Sequence, residues 1–347
     1  MAFCCLVISL LLLPVVLRGI GLPSRQQLYR GVSNKIGTSA YIEHAVFEDP
    51  RDADVLFVGS SPLITSILPD LVSAYFQSKL HKAVVLTFLD SRADGPDIEY
   101  ILLRDYLALH RPKLIVFEAT NAPDVSNWPH RHLSSYLRYG DLEDFTSNVR
   151  AVDQLSIYAE NVVRGPRELL DFVRPNLIAS TEGTDAFREA QLKKRFWPDW
   201  SPTFSVVSGS VSMPDSSQIH PKPLGSADVK ENAKGFIPSP YLLGVLTRIS
   251  NSARTHGIRL ALIDAPMLID YGRKDVKEML DLPGIFGPDR DLISLSFHDL
   301  FGDISPKNAQ EFYSDNIHFN AHGARLYDSM ILPALLDEYQ KSNAQRK

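Results

Sequence analysis

Cysteine is nearly absent from this chain of 347 residues: there are two, Cys4 and Cys5, both at the extreme N-terminus. The rest of the chain therefore has no disulfide framework, no cysteine metal site and no thiol nucleophile. A basic excess is missing too. Lys and Arg number 36 against 41 Asp and Glu, a net charge of −5, so there is no positive field to hold a phosphate backbone, and nucleic acid is not an expected partner. Glycine-rich phosphate loops of the P-loop or dinucleotide type are absent, as is the Gly-x-Ser-x-Gly elbow of α/β-hydrolases. There is no internal repeat and no heptad seam. His130 and His132, or His298 beside Asp299, lack the spaced partners of a metal site, and His322, four residues after His318, reads as a helix-start residue. Neither a metal nor a cofactor is expected.

Charge is also missing from residues 2–17, a run of mainly Leu, Val, Ile and Phe that Arg18 interrupts and Gly19 to Leu22 extend. As a helix, 2–22 would span about 30 Å, one hydrocarbon core. No small-x-small cleavage site follows it, so the segment reads as an uncleaved single-pass anchor over 1–22 rather than a signal peptide or a buried helix. Arg18, Arg25 and Arg30 follow the run and nothing basic precedes it, which by charge alone points to a cytoplasmic C-terminus.

Beyond a polar, membrane-proximal lead-in over 23–52, the pattern changes. Asp54 to Gly59, Ala83 to Leu89 and Leu114 to Ala119 are short, continuous apolar runs of the kind expected from strands buried on both faces. Pro69 and Pro96 open helical patterns between them. Such alternation predicts βαβ units and a parallel sheet. It stops at a long insertion, 122–238, whose 201–235 stretch is rich in Ser, Pro, Gly and Asp. It resumes with a helix over Leu242 to Ile249, ended by His256-Gly257, then a fourth strand over Arg259 to Asp264 and a fifth over Leu292 to Phe297. A last helix starts near Phe319 or Ala321 and runs to about Gln340, with Pro333 as a kink and 341–347 as a tail. The main domain is thus 53–340.

In an open parallel sheet, ligands sit beyond the carboxyl ends of the strands. The residues there are Gly59-Ser60-Ser61 after the first strand, Arg92 and Gly95 after the second, Asn121 after the third, and Asp315-Asn-Ile-His318 before the last helix. Acyl transfer needs a hydroxyl nucleophile, a base beside it and a carboxylate to orient the base, roles that Ser61, His318 and Asp315 can fill. The backbone N–H groups of Ser61 and Gly95 and the Asn121 side-chain amide can meet a growing oxyanion. Arg92 is a candidate for an anionic substrate group.

Taken together, Gly59-Ser60-Ser61, Gly95, Asn121 and Asp315-x-x-His318 with Gly323 downstream resemble the four blocks of the SGNH (GDSL-like) hydrolase superfamily. The resemblance covers about 53–122 and 239–340. It implies a flavodoxin-like three-layer fold with a five-stranded parallel sheet in order 2-1-3-4-5, and a Ser–His–Asp mechanism. Three positions depart from the family pattern: Ser60 replaces the Asp of the first block, Ala119 a Gly and Ala122 the Asp of the third. The anchor, the Gly-Ser-Ser variant and the insertion resemble the membrane-anchored subgroup that works beside membrane-bound O-acyltransferases. That resemblance implies an extracytoplasmic esterase or O-acyltransferase acting on acylated cell-envelope or secreted polysaccharide, against the direction of the charge rule. The alternative is an SGNH-fold glycan-binding or scaffold protein with little turnover. A response-regulator-like or nucleotide-binding module would need an acidic cluster or a phosphate loop.

Overall fold

The computed structural model describes residues 37–90, 96–118, 240–268, 292–302, 305–315 and 317–345, together with a few positions before 30, between 196 and 202, and at 286. Four parallel strands carry the architecture: β1 (Val55–Gly59), β2 (Leu86–Asp90), β3 (Leu114–Glu118) and β4 (Arg259–Asp264). β1 pairs with both β2 and β3, and β3 pairs with β4, giving the order 2-1-3-4. On the outer side of β4 lies β5 (Leu292–Ser294), three residues long and again parallel.

Each strand is apolar on both faces because both faces are covered. Val55, Phe57, Phe88, Val116 and Ile263 point into one core, and Leu56, Val58, Leu89, Phe117 and Leu262 into the other. This period of two is the pleat itself. The first core is closed by α2 (Ser61–Ser66), α3 (Pro69–Leu80), α6 (Phe297–Phe301), α7 (Pro306–Ala309) and α8 (Ala321–Gln345). The second is closed by α1 (Gly37–Phe47), α4 (Pro96–Leu109) and α5 (Pro240–Thr255). Fully burying one such Leu, Val or Phe side chain contributes about 1.5–3 kcal/mol, so the sheet is fixed by many modest terms.

Pro69 and Pro96 open α3 and α4, and α5 ends as the sequence predicts. Gly257 takes a left-handed conformation (φ 63°), while the Ile258 N–H reaches back to the Ala253 carbonyl at 2.9 Å. Other boundaries differ. The second strand starts at Leu86, three residues later than the apolar run from Ala83. The fifth stops at Ser294, because Ser296 and Asp299 form a reciprocal capping box that starts α6 at Phe297. α8 continues through Pro333 to Gln345, well into the residues read as a tail.

The lead-in is also more than a spacer. α1 buries Ile42 and Val46 against the second core. Ahead of it, the buried Tyr29 donates to Asp105 at 2.8 Å and meets the Phe47 ring edge-on at 5.0 Å. Arg25 pairs with the same Asp105. Most of 1–22 lies outside the described residues; among those described, no helix is long and apolar enough to cross a membrane. Of the 122–238 insertion, Phe196–Trp197 and Ser201–Pro202 are described; they pair antiparallel, with Ser201–Pro202 beside α2.

Candidate active site

β1 delivers its last residue, Gly59, to the carboxyl rim of the sheet, and the chain turns there into α2 through Ser60, with Pro62 at an early helical position. The turn leaves no room for a side chain at 59. A Cβ there would stand 2.7 Å from the Cβ and Oε2 atoms of Glu118 and 2.7 Å from Leu63 Cδ2. Glycine is required because the neighbouring strand ends in a large side chain aimed beneath the turn.

The second arm of the site is a pinched loop. Tyr313 and Phe319 form an isolated antiparallel bridge, the Ser314 N–H donates to the His318 carbonyl at 2.8 Å, and the Asn320 N–H donates to the Phe312 carbonyl at 3.0 Å. Their rings stack at 4.6 Å, and the Tyr313 hydroxyl donates to the Pro266 carbonyl at 2.7 Å, tying the loop to the end of β4. Asn320 then caps α8, its Oδ1 accepting from the His322 and Gly323 N–H groups at 2.9 and 3.1 Å. Gly323 is the second required glycine: a Cβ would lie 2.2 Å from the Phe312 carbonyl oxygen.

Together these two arms bring residues 61 and 318 into contact. The Asp315 carboxylate accepts from the backbone N–H groups of Ile317 and His318, each at 2.8 Å, and its other oxygen stands 2.6 Å from His318 Nδ1. An ionised carboxylate can only accept, so the ring proton sits on Nδ1, and Nε2 is left to accept from Ser61 Oγ at 2.9 Å. Burial works against the charge on Asp315, but the His318 ring and the two N–H groups outweigh it and hold the carboxyl below its ordinary value. His318 is buried, at 7 % exposure, while the Asp315 side chain is half-exposed. The arrangement can take a proton from a serine hydroxyl, hold the resulting imidazolium and return the proton to a leaving group.

Ser60 and Ser61 have different partners. The Ser60 N–H and hydroxyl both donate to Glu118 Oε2, at 2.5 and 2.7 Å, so Ser60 faces down to the sheet while Ser61 faces the imidazole. Glu118 itself is a residue that the sequence reading passes over. It is buried at the end of β3, and desolvation pushes its carboxyl up, against the pull of Ser60, the Leu63 N–H and the nearby His318. Its one sequence signal is a charged residue closing an otherwise apolar strand run, opposite a glycine in the adjacent strand.

Arg92, Gly95 and Asn121 lie outside the described residues, as do His130 and His132. His298 is exposed on α6 and His322 is exposed in the first turn of α8. Among the described residues, no group of three or more His, Cys, Asp or Glu side chains is placed to hold a metal ion. No family model matches the chain, and no curated protein matches it.

Proposed function

We propose that the chain is a serine esterase or O-acyltransferase of the SGNH type, in which Ser61 is the nucleophile, His318 the base and Asp315 the residue that orients it. The observation that carries this reading is the continuous relay of 2.9 Å from Ser61 Oγ to His318 Nε2 and 2.6 Å from Nδ1 to Asp315. Ser61 Oγ attacks the acyl carbon of an ester while Nε2 takes its proton. The tetrahedral adduct then expels the alcohol, which receives that proton from Nε2, and the acyl group remains on Ser61. Water, or a sugar hydroxyl in a transferase, repeats the sequence with the roles reversed. The Ser61 N–H at the head of α2, the Gly95 N–H and the Asn121 amide are assigned to the oxyanion, and Arg92 to an anionic substrate group.

The substrate class we assign is an O-acylated cell-envelope or secreted polysaccharide. The domain would be held outside the cytoplasm by the 1–22 anchor, beside a membrane-bound O-acyltransferase. The order 2-1-3-4 with β5 beside β4 suits the five-stranded flavodoxin-like plan that this reading entails. The Ser201–Pro202 segment lies beside α2, which supports reading the insertion as a wall of the acyl site. Fluorophosphonate labelling tests the reading. Wild type should label at Ser61, Ser61→Ala should not label, and His318→Ala should label at a small fraction of the rate; a wild type inert at every concentration defeats it.

A second reading, a glycan-binding scaffold beside the acyltransferase, draws on Ala119 and Ala122 in the third block. Glycan binding equal in wild type and Ser61→Ala, with no ester turned over by either, would select it.

A further inference from the structure

The nucleophile turn rests on a carboxyl group that the relay does not use. Glu118 ends β3, and β1 and β3 pair in register from Val55 with Leu114 to Val58 with Phe117, so the next rung sets Glu118 beside Gly59. Because Gly59 carries no side chain, the carboxyl reaches under the turn, where Oε2 accepts from both the N–H and the hydroxyl of Ser60. Ser60 has no other side-chain role at the head of α2: its hydroxyl makes no cap to the helix. The acceptor below it therefore ties down the turn between Gly59 and Pro62 from the sheet side, while the Ile64 N–H holds the Ser60 carbonyl at 3.2 Å from the helix side.

Resting on the reading of Ser61 as the nucleophile, we propose that Glu118 is its positioning residue: through Ser60 it holds the turn so that Ser61 Oγ stays on His318 Nε2. An ionised carboxylate accepts both Ser60 bonds, whereas a protonated one brings a donor of its own and competes for the same hydroxyl. The hold is thus firmest with Glu118 ionised and loosens as pH falls through its raised value. The titratable groups facing it are the His318 ring on the 315–318 loop and the Tyr327 phenol on α8. Tyr327 in turn feels Asp264 at the end of β4 and Asp328 one residue along α8.

Two substitutions separate this role from a merely structural one. Glu118→Gln keeps the side-chain volume and an oxygen acceptor but cannot ionise; Glu118→Ala removes the acceptor. The probe is p-nitrophenyl acetate hydrolysis as a function of pH, with amide hydrogen exchange at Ser60 measured on the same proteins. In Glu118→Ala, kcat should fall about 10- to 100-fold with KM little changed, as expected when a reacting atom is misaimed, and Ser60 should lose protection. Glu118→Gln, which like the protonated acid offers an oxygen acceptor beside a competing donor, should keep part of that protection and turn over about 3- to 10-fold more slowly than wild type at the alkaline end of the profile, the gap closing as acid protonates Glu118 in wild type. Since Glu118→Gln retains the packing, its pH profile decides the matter even where Glu118→Ala does not fold. A pH profile for Glu118→Gln that overlays wild type, or full turnover and Ser60 protection in a folded Glu118→Ala, overturns the proposal. Should wild type hydrolyse no ester at all, the nucleophile reading fails, and Ser60 exchange still decides whether Glu118 holds the turn.

Discussion

At the amino ends of the strands Asp54 meets Lys113 and Tyr339, and Arg259 meets Glu338 at 2.5 Å, whereas at the carboxyl ends Glu118 and Asp315 meet hydroxyl, amide and imidazole groups. Among the described residues no lysine or arginine pairs with either of those two rim carboxyls. The difference extends to their protonation. Burial opposes the charge on Asp54, but Lys113, the Val85 N–H and the Tyr339 hydroxyl prevail and hold it below its ordinary value, while burial prevails at Glu118 and pushes it up. One end of the sheet neutralises its charges with partners of opposite sign, which serves stability. The other sets its carboxyls against hydroxyl, amide and imidazole groups, the arrangement that the proposed proton transfer would use.

Substitutions at the two ends should therefore register in different measurements. Ser61→Ala or His318→Ala should lower ester turnover about 10⁴-fold or more, worth about 5.5 kcal/mol of transition-state stabilisation, with the melting temperature almost unmoved. A variant that lost stability instead would place Ser61 and His318 on the structural side of the comparison. At the opposite end, Glu338→Ala strips the carboxylate from the buried Arg259 and should destabilise the fold by about 3–5 kcal/mol in urea titration. Its turnover per folded molecule should match wild type.

The same contrast separates what the sequence discloses from what it conceals. Leu114 to Glu118 and Arg259 to Asp264 are readable as strands because burial on both faces leaves an unbroken apolar run, and Asp315 and His318 because their spacing lets one short loop hold both. Glu118 escapes such reading because its partner, Ser60, lies 58 residues away and meets it through the register of two strands. α1 escapes because its buried face offers only a few apolar side chains, among them Ile42 and Val46, within the mixed sequence Gly-Thr-Ser-Ala-Tyr-Ile-Glu-His-Ala-Val-Phe. The end of β5 is decided by a local competition: the Ser296 and Asp299 cap outbids further pairing beside β4. In each case the missing information is a contact between distant residues or a choice between two local structures, neither of which has a period.

Gly323 offers a probe that should move both measurements at once. Gly323→Ala sets a Cβ 2.2 Å from the Phe312 carbonyl, and backbone rather than a flexible side chain must yield, at about 1–3 kcal/mol. Because Phe312 also accepts from Asn320, two residues beyond His318, the same displacement should tilt the imidazole and lower turnover about tenfold. Loss of stability with unchanged turnover would show that the loop around residues 313–319 absorbs the strain before it reaches the ring.

The smallest expected effect lies in how stability follows pH, and there the two ends should slope in opposite directions. Asp54 is held below its ordinary value, so its contribution is complete above that value and is lost as pH falls through the folded one. The advantage of wild type over Asp54→Asn should therefore shrink on acidification. Glu118 is raised, so the folded state binds its proton more tightly than the unfolded chain does, and wild type loses stability as pH climbs from the ordinary glutamate value through the raised one. Glu118→Gln does not carry that loss, and its stability relative to wild type should rise over the same interval. Urea unfolding of the three proteins between about pH 3 and pH 8 compares the two slopes. Parallel difference curves would mean that Glu118 is held by its partners as Asp54 is, and that the two ends of the sheet handle charge alike.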